Sequence, residues 1–285
     1  MSIKKMLNNR DLLIFSIMVI ALTVISYSQS DSGTQSSHSK NPALGELIAY
    51  RKITLLSHSK ESEYLQQTMT SNRMWNKNLS GLHSATFKGD RGERAGQFCS
   101  IWMFESVEKR DGYFPLTNKD DEHGTGVEEF SNVATMINNT TGNINYTYVP
   151  KEYQETGVYT DYVVLGFDQL KNPTLGGLFA LREYDIKPGM EAEFEEFCVN
   201  TSVPAFQKNF PGMELYYLKG DRGARKGEYA EILSFESVEK RDYYFPTHDS
   251  TNAEIADEFW KMFETTNVNK FLAEPASYTD YFKVN

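Results

Sequence analysis

The apolar pattern is most regular in the C-terminal half of the chain. Leu178–Tyr184 is mainly apolar and aromatic and reads as a strand, as does Leu47–Ile53. Lys187-Pro188-Gly189 marks a turn, after which Met190, Phe194, Phe197, Cys198 and Thr201 fall at helical spacing, with Pro204 ending or bending that helix. Met213–Lys219 predicts a second strand, Gly220-Asp221-Arg222-Gly223 opens a hairpin loop, and Glu228–Phe235 predicts a third strand. Ser237 is placed as an N-cap, with Glu239 in the first turn where the helix dipole favours an acid. Helical spacing returns at Ile255, Phe259 and Phe263, matched in the N-terminal half by Val127, Phe130, Ala134 and Ile137. Tyr278–Val284 closes the series as a fourth strand, so the order is βαββαβ.

The same order recurs upstream. Displaced by 131 residues, Lys88–Pro115 and Lys219–Pro246 are identical at 19 of 28 positions, whereas Leu44–Phe87 and Leu175–Leu218 agree at only 10 of 44. The twelve-residue phrase FESVEKRDGYFP (Phe104–Pro115) returns as FESVEKRDYYFP (Phe235–Pro246) with one substitution. Tyr159-Thr-Asp-Tyr162 matches Tyr278-Thr-Asp-Tyr281 at the shorter offset of 119, so the first copy carries 12 extra residues between Leu116 and Thr156. Internal repetition on this scale sets the domain count. The expected organisation is a segment 1–28, a linker 29–43, a first domain 44–172 and a second domain 173–285.

A βαββαβ unit forms a ferredoxin-like sheet with helices on one face, and the other face must also be covered. In the third strand, Tyr229, Leu233 and Phe235 alternate with Ala230 and Ile232, which points to two buried faces. The simplest cover for each bare sheet is its sister copy. The expected fold is therefore α+β: two ferredoxin-like repeats forming an intramolecular pseudo-dimeric α/β barrel, with the repeated phrase at the contact between the copies. A further homodimer stays open.

The extreme N-terminus stands apart. Lys4, Lys5 and Arg10 precede an apolar run from Leu12 to Ile25 and then Ser26-Tyr27-Ser28, which reads as a secretory signal cut after Ser28. The run is shorter than the roughly 20 residues that span a bilayer, so export rather than stable membrane insertion is expected. Residues 29–43 are Ser-rich and lack apolar periodicity. A net charge of −10 argues against nucleic acid as a partner. The two cysteines, Cys99 and Cys198, occupy non-equivalent positions and read as buried thiols rather than a disulfide.

Arg182–Phe197, then Pro211-Gly212, then Glu228-Tyr-Ala-Glu-Ile-Leu-Ser-Phe-Glu-Ser237 resemble the antibiotic biosynthesis monooxygenase-like domains of the dimeric α+β barrel superfamily. The resemblance covers nearly all of the second copy and, more weakly, the first. It implies the barrel fold and a small-molecule pocket between sheet and helices. Members include cofactor-free oxygenases acting on aromatic polyketides, and haem-degrading enzymes. Where the family commonly has Trp before the Glu-Ser of the third strand, this chain has Phe104 and Phe235. Haem-degrading members carry a ligand His on the second helix, and the nearest residues here are His123 and His248, away from the family spacing.

Several residues stand out as candidates. Arg91 and Arg222 lie in Gly-Asp-Arg-Gly turns and read either as anion-binding forks or as partners of the adjacent Asp. Trp102, Phe104, Tyr229 and Phe235 are core residues at strand spacing that would also suit the lining of a site for a flat apolar or aromatic molecule. Glu231 shares a strand face with Tyr229 and Leu233, where a carboxylate among aromatics could serve as a base. No phosphate-loop, GxSxG, CxxC or dinucleotide-binding pattern is present, and no cofactor is expected. A small-molecule binder, with cofactor-independent oxygenation as its implied chemistry, is the leading reading. A non-catalytic assembly module and a haem-binding protein are the alternatives.

Overall fold

Eight strands close into an antiparallel barrel in the order β1-β3-β2-β8-β5-β7-β6-β4. They are β1 Leu47–Ile53, β2 Leu82–Gly92, β3 Phe98–Phe104, β4 Tyr159–Val164, β5 Leu178–Tyr184, β6 Met213–Gly223, β7 Tyr229–Phe235 and β8 Ser277–Lys283. The computed structural model describes residues 42–117, 124–142, 159–246, 261, 263–266 and 268–284, all within one compact unit. Among these residues no helix is long and apolar enough to cross a membrane. The expected leader, residues 29–41 of the expected linker, and Ile255 and Phe259 of the expected C-terminal helix lie outside the described residues.

Every neighbouring pair of strands is antiparallel. Strands four places apart therefore run the same way, and half a turn about the barrel axis brings β1, β3, β2 and β8 onto β5, β7, β6 and β4. The chain marks this axis at one end of the barrel, where Ala43 and Thr174 form an isolated antiparallel bridge. There Leu44 N donates to Pro173 O (2.8 Å) and Leu175 N to Pro42 O (3.3 Å), a reciprocal pair at the 131-residue offset.

The barrel interior is filled by one apolar cluster drawn from all eight strands, including Ile48, Phe87, Ile101, Val164, Phe179, Leu218, Ile232 and Tyr281. Ala230 and Ile232 point into it, while Tyr229, Leu233 and Phe235 pack on the outer face beneath helices, as their alternation predicts. The outer face of the N-terminal half carries α1 (Glu61–Asn78), α2 (Val107–Tyr113) and α3 (Glu128–Thr141). The C-terminal half carries α4 (Glu191–Phe197), α5 (Val203–Asn209) and α6 (Val238–Tyr244). Ser106 and Ser237 cap α2 and α6, each accepting from the backbone N–H three residues on.

Two expectations need correction. The Gly-Asp-Arg-Gly segments are not loops: β2 runs to Gly92 and β6 to Gly223, each extended by pairing with a strand of the other half. Asp161 and Thr160 of β4 pair with Arg222 and Gly223, and Asp280 and Thr279 of β8 pair with Arg91 and Gly92. The partner strands are remote in sequence, so local pattern shows only the glycines. The second correction concerns the helix expected on Met190–Thr201. It runs on through a π-turn at Cys198–Ser202 into α5, with Pro204 in the first turn of α5, where a missing N–H costs least.

The π-turn absorbs one extra residue, so the stripe facing the sheet is Phe194, Cys198, Ser202 and Phe206, and Thr201 is exposed. In α1 the buried stripe is Tyr64, Thr68, Ser71 and Trp75. The gapless sequence alignment thus hides a shorter loop compensated by a wider helical turn. Cys99 and Cys198 are free and buried, and burial pushes both thiols up.

Candidate functional site

The structure distributes the candidate residues over three places. The first is the contact between halves. Arg110, on α2, donates from Nε to Asp111 Oδ1, from Nη1 to Asp161 Oδ2 on β4, and from Nη2 to Asp221 Oδ2 on β6, each at 2.6 Å. Arg222 reaches across the halves from Nη2 to Asp111 Oδ1 (2.7 Å) and from Nη1 to Phe114 O (2.8 Å). Half a turn away, Arg241 donates to Asp242 (2.9 Å), Asp90 (2.6 Å) and Asp280 (3.1 Å). Arg91 there donates to Asp242 Oδ1 (2.8 Å) and Phe245 O (3.1 Å). Arg91 and Arg222 are thus engaged in clasps that bind one half to the other.

Burial works against the charge of Arg110, but its three carboxylates outweigh that and hold the guanidinium above its ordinary value. Burial likewise pushes the Asp161 and Asp280 carboxyls up, with the neighbouring arginines pulling the other way.

Several residues of the repeated phrase have a role in or beside the clasps. Phe104 and Phe235 are core, Ser106 and Ser237 cap, and Arg110, Asp111, Arg241 and Asp242 clasp. The Tyr113 and Tyr244 hydroxyls tie the helices to Ser80 O (3.0 Å) and Pro211 O (3.1 Å). The one substituted position faces solvent: a Cβ on Gly112 would meet nothing within 4 Å, and Tyr243 is 43% exposed.

The second place is an aromatic cluster on the outer face of the N-terminal half. Trp102 of β3 lies 5.2 Å from Trp75 of α1, 5.8 Å from Phe130 of α3 and 6.4 Å from both Phe104 and Phe114, by ring centroids. Trp75 and Phe130 stack at 4.8 Å and 13°, and Phe114 meets Phe130 at 4.4 Å. Phe104 is buried, but Trp102, Phe114 and Phe130 are only half-buried. Beside the cluster, α1 sits on β2 through polar contacts. Thr68 and Asn72 hydrogen-bond Thr86 Oγ1, Ser84 Oγ donates to Asn72, and the Asn76 amide closes the free edge of β2 at Ser84.

The third place is the outer face of the C-terminal half, where Phe245 and Phe263 are half-buried like Phe114 and Phe130. Phe194, Phe206, Tyr217, Tyr229, Phe235 and Phe271 are all 2% exposed or less. Buried among them, Glu231 Oε1 accepts from Arg182 Nη1 at 2.6 Å, with the Tyr184 hydroxyl 3.5 Å from Oε2. The Glu231 carboxylate holds Arg182 above its ordinary value, and burial followed by Glu231 pushes Tyr184 up. Tyr229 Oη donates to Glu195 (2.6 Å), and Ser202, on the π-turn, bonds the Tyr217 hydroxyl (2.8 Å) and Thr266 O (2.7 Å). The residue at the place of Glu231 in the N-terminal half is Ser100, opposite Arg51.

His123 and His248 lie outside the described residues. Among the described residues, no three His, Cys, Asp or Glu side chains gather as a metal site. Trp75 and Arg182 belong to these sites but do not stand out in the sequence. Trp75 sits on a weakly amphipathic helix, and Arg182 is tied to Glu231 only by the β5–β7 register.

No family model matches the chain, and no curated protein matches it. Among solved structures it is similar to a provisionally assigned monooxygenase from Lactobacillus acidophilus, at 11% identity and a TM-score of 0.49, covering 84% of this chain and 94% of that one. An anthrone oxidase-like protein is similar at 12% identity and a TM-score of 0.47, covering 86% and 95%. A haem-binding protein from Thermus thermophilus is similar at 10% identity and a TM-score of 0.46, covering 87% and 96%.

Proposed function

We propose that this chain is a tandem antibiotic biosynthesis monooxygenase-like protein that binds a flat apolar or aromatic molecule on its N-terminal half. In this reading two ferredoxin-like modules, 44–172 and 173–285, arose by duplication, and residues 1–28 direct export. The observation that carries the binding role is the half-buried face of Trp102, Phe114 and Phe130. Aromatic rings left partly in water beside fully buried neighbours offer stacking area to a planar ligand. The C-terminal half offers no indole at that place, since buried Leu233 stands where Trp102 would be. Binding without catalysis is the favoured role, because Ser100 offers no carboxylate where the other half has Glu231.

Trp75 and Trp102 are two of the three tryptophans, so ligand stacking is readable in tryptophan emission. Titration with 1-naphthol, anthraquinone and haemin is expected to quench emission and raise the melting temperature for at least one planar aromatic. Trp102→Ala should weaken that binding by about tenfold, the loss of one stacking partner. Silence across the panel, or binding indifferent to Trp102→Ala, sinks the reading; a Soret shift with haemin alone favours the haem alternative. For export, the intact mass of the chain recovered outside the producing cytoplasm should begin at Gln29, and a chain retaining residues 1–28 there contradicts it.

A further inference from the structure

The clasps leave a question of selectivity. Arg91 and Arg222, Arg110 and Arg241, Asp111 and Asp242, and Asp90 and Asp221 are the same residue types in both halves. Two N-terminal halves from different chains could satisfy all of these contacts, as could two C-terminal halves. The clasps therefore favour pairing without choosing the partner.

Positions near the axis can choose, because there each residue faces its own equivalent. The inward positions of β1 and β5 are Ile48 and Phe179, Tyr50 and Leu181, and Lys52 and Glu183, each pair separated by the 131-residue offset. Only the last pair differs in charge. Lys52 Nζ lies 2.5 Å from Glu183 Oε2 across the barrel mouth opposite the Ala43–Thr174 bridge, and the Glu183 side chain is only 7% exposed. Glu183 Oε1 also accepts from Tyr162 Oη at 3.0 Å and lies 3.7 Å from Arg225 Nε.

We propose that the Lys52–Glu183 pair makes the two halves of one chain select each other and reject their equivalents in a second chain. A pairing of like halves would set Lys52 against Lys52, or Glu183 against Glu183, at a mouth where the Glu183 side chain is 7% and the Lys52 side chain 33% exposed, so that repulsion is screened less than between fully exposed charges. Two identical subunits could not build such a contact about a twofold axis, since the axis puts the same residue on both sides. Divergence of the halves within one chain permits it.

The test uses the full-length chain as K52E, E183K and K52E/E183K. Each single variant sets like charges face to face and should lower the urea midpoint. The double variant restores opposite charges, with Tyr281 and Arg94 on the Lys52 side where Tyr162 and Arg225 stand on the Glu183 side, and should recover part of the loss, since the Tyr281 hydroxyl is already engaged by Tyr50. Unchanged midpoints in the singles, or no recovery in the double, overturn the proposal. Selectivity has its own readout. Every half of K52E is complementary to every half of E183K, so refolding the two together should give a two-chain species several-fold more abundant, by native mass spectrometry, than either gives alone. Recovery in the double variant with no such species would reduce the pair to a stabilising contact and overturn the selective role.

Discussion

Replacing Arg110 with methionine is expected to cost about 3–5 kcal/mol of folding stability, the usual penalty for removing one partner of a buried ion pair. The cost arises from what stays behind. Asp161 is buried on β4 and takes its Nη1 hydrogen bond from Arg110, while Asp221 and Asp111 lose the donor that gathers them. For a unit of this size the melting temperature should fall by roughly 10 °C or more. Arg241→Met should do the same through Asp280 and Asp90. Glu108→Ala, an exposed residue on the same helix, should stay within about 0.5 kcal/mol of the parent. Equal effects of the arginine variants and the control would show that the clasps do not hold the halves together.

The pH dependence gives that result a second signature. Burial already pushes the Asp161 carboxyl up, and removing Arg110 removes an opposing influence, so its folded-state pKa should rise further. With the folded pKa above the unfolded one, the folded state takes up the proton first as pH falls. The stability deficit of Arg110→Met should therefore shrink on acidification from neutral toward the unfolded carboxyl range. A deficit constant over that range would mean that the loss lies in packing rather than in the stranded carboxylate.

The second large effect is expected at Gly92 and Gly223. Their φ values are +90° and +89°, and a Cβ would stand 2.1 Å from Tyr278 O and 2.2 Å from Tyr159 O, both in the opposite half. Those carbonyls accept from Glu93 N and Ala224 N at 2.9 Å, so the glycines let each hairpin dock on the other half's strand. Gly92→Ala or Gly223→Ala should cost roughly 3 kcal/mol, combining backbone strain with a displaced inter-half hydrogen bond. Gly227→Ala is the matched comparison: its φ is +84°, but nothing lies within 4 Å of its Cβ, so strain alone of about 1–2 kcal/mol should remain. If all three alanines cost the same, close approach between the halves contributes nothing.

These effects meet in three short segments: Gly-Asp-Arg-Gly, the repeated phrase, and Tyr-Thr-Asp-Tyr. They supply the glycines, the arginines and the buried aspartates of each clasp. Their close identity between halves follows from reciprocity, because each segment must fit a partner that is nearly its own counterpart. Outside these segments the halves differ: α1 meets β2 through polar contacts, whereas α4 and α5 pack into an aromatic cluster.

Local pattern was enough to define strands β1 and β5 to the residue, the cap at Ser237, the alternation of β7 and the presence of two similar halves. Each of these rests on periodicity, on a residue's affinity for a backbone position, or on direct self-comparison. The same self-comparison pointed to the contact between halves as the place of the repeated phrase. That Gly-Asp-Arg-Gly continues a strand emerged only in the folded chain, since the strand it pairs with comes from the other half. The π-turn that replaces Thr201 with Ser202 on the buried stripe was likewise hidden, because a shorter loop cancels it in the residue count. The partners of Arg91, Arg222 and Glu231 were hidden for a shared reason. A charged side chain announces that it needs a counter-charge, but which one it meets is set by register and barrel closure, properties of strands far apart in the chain.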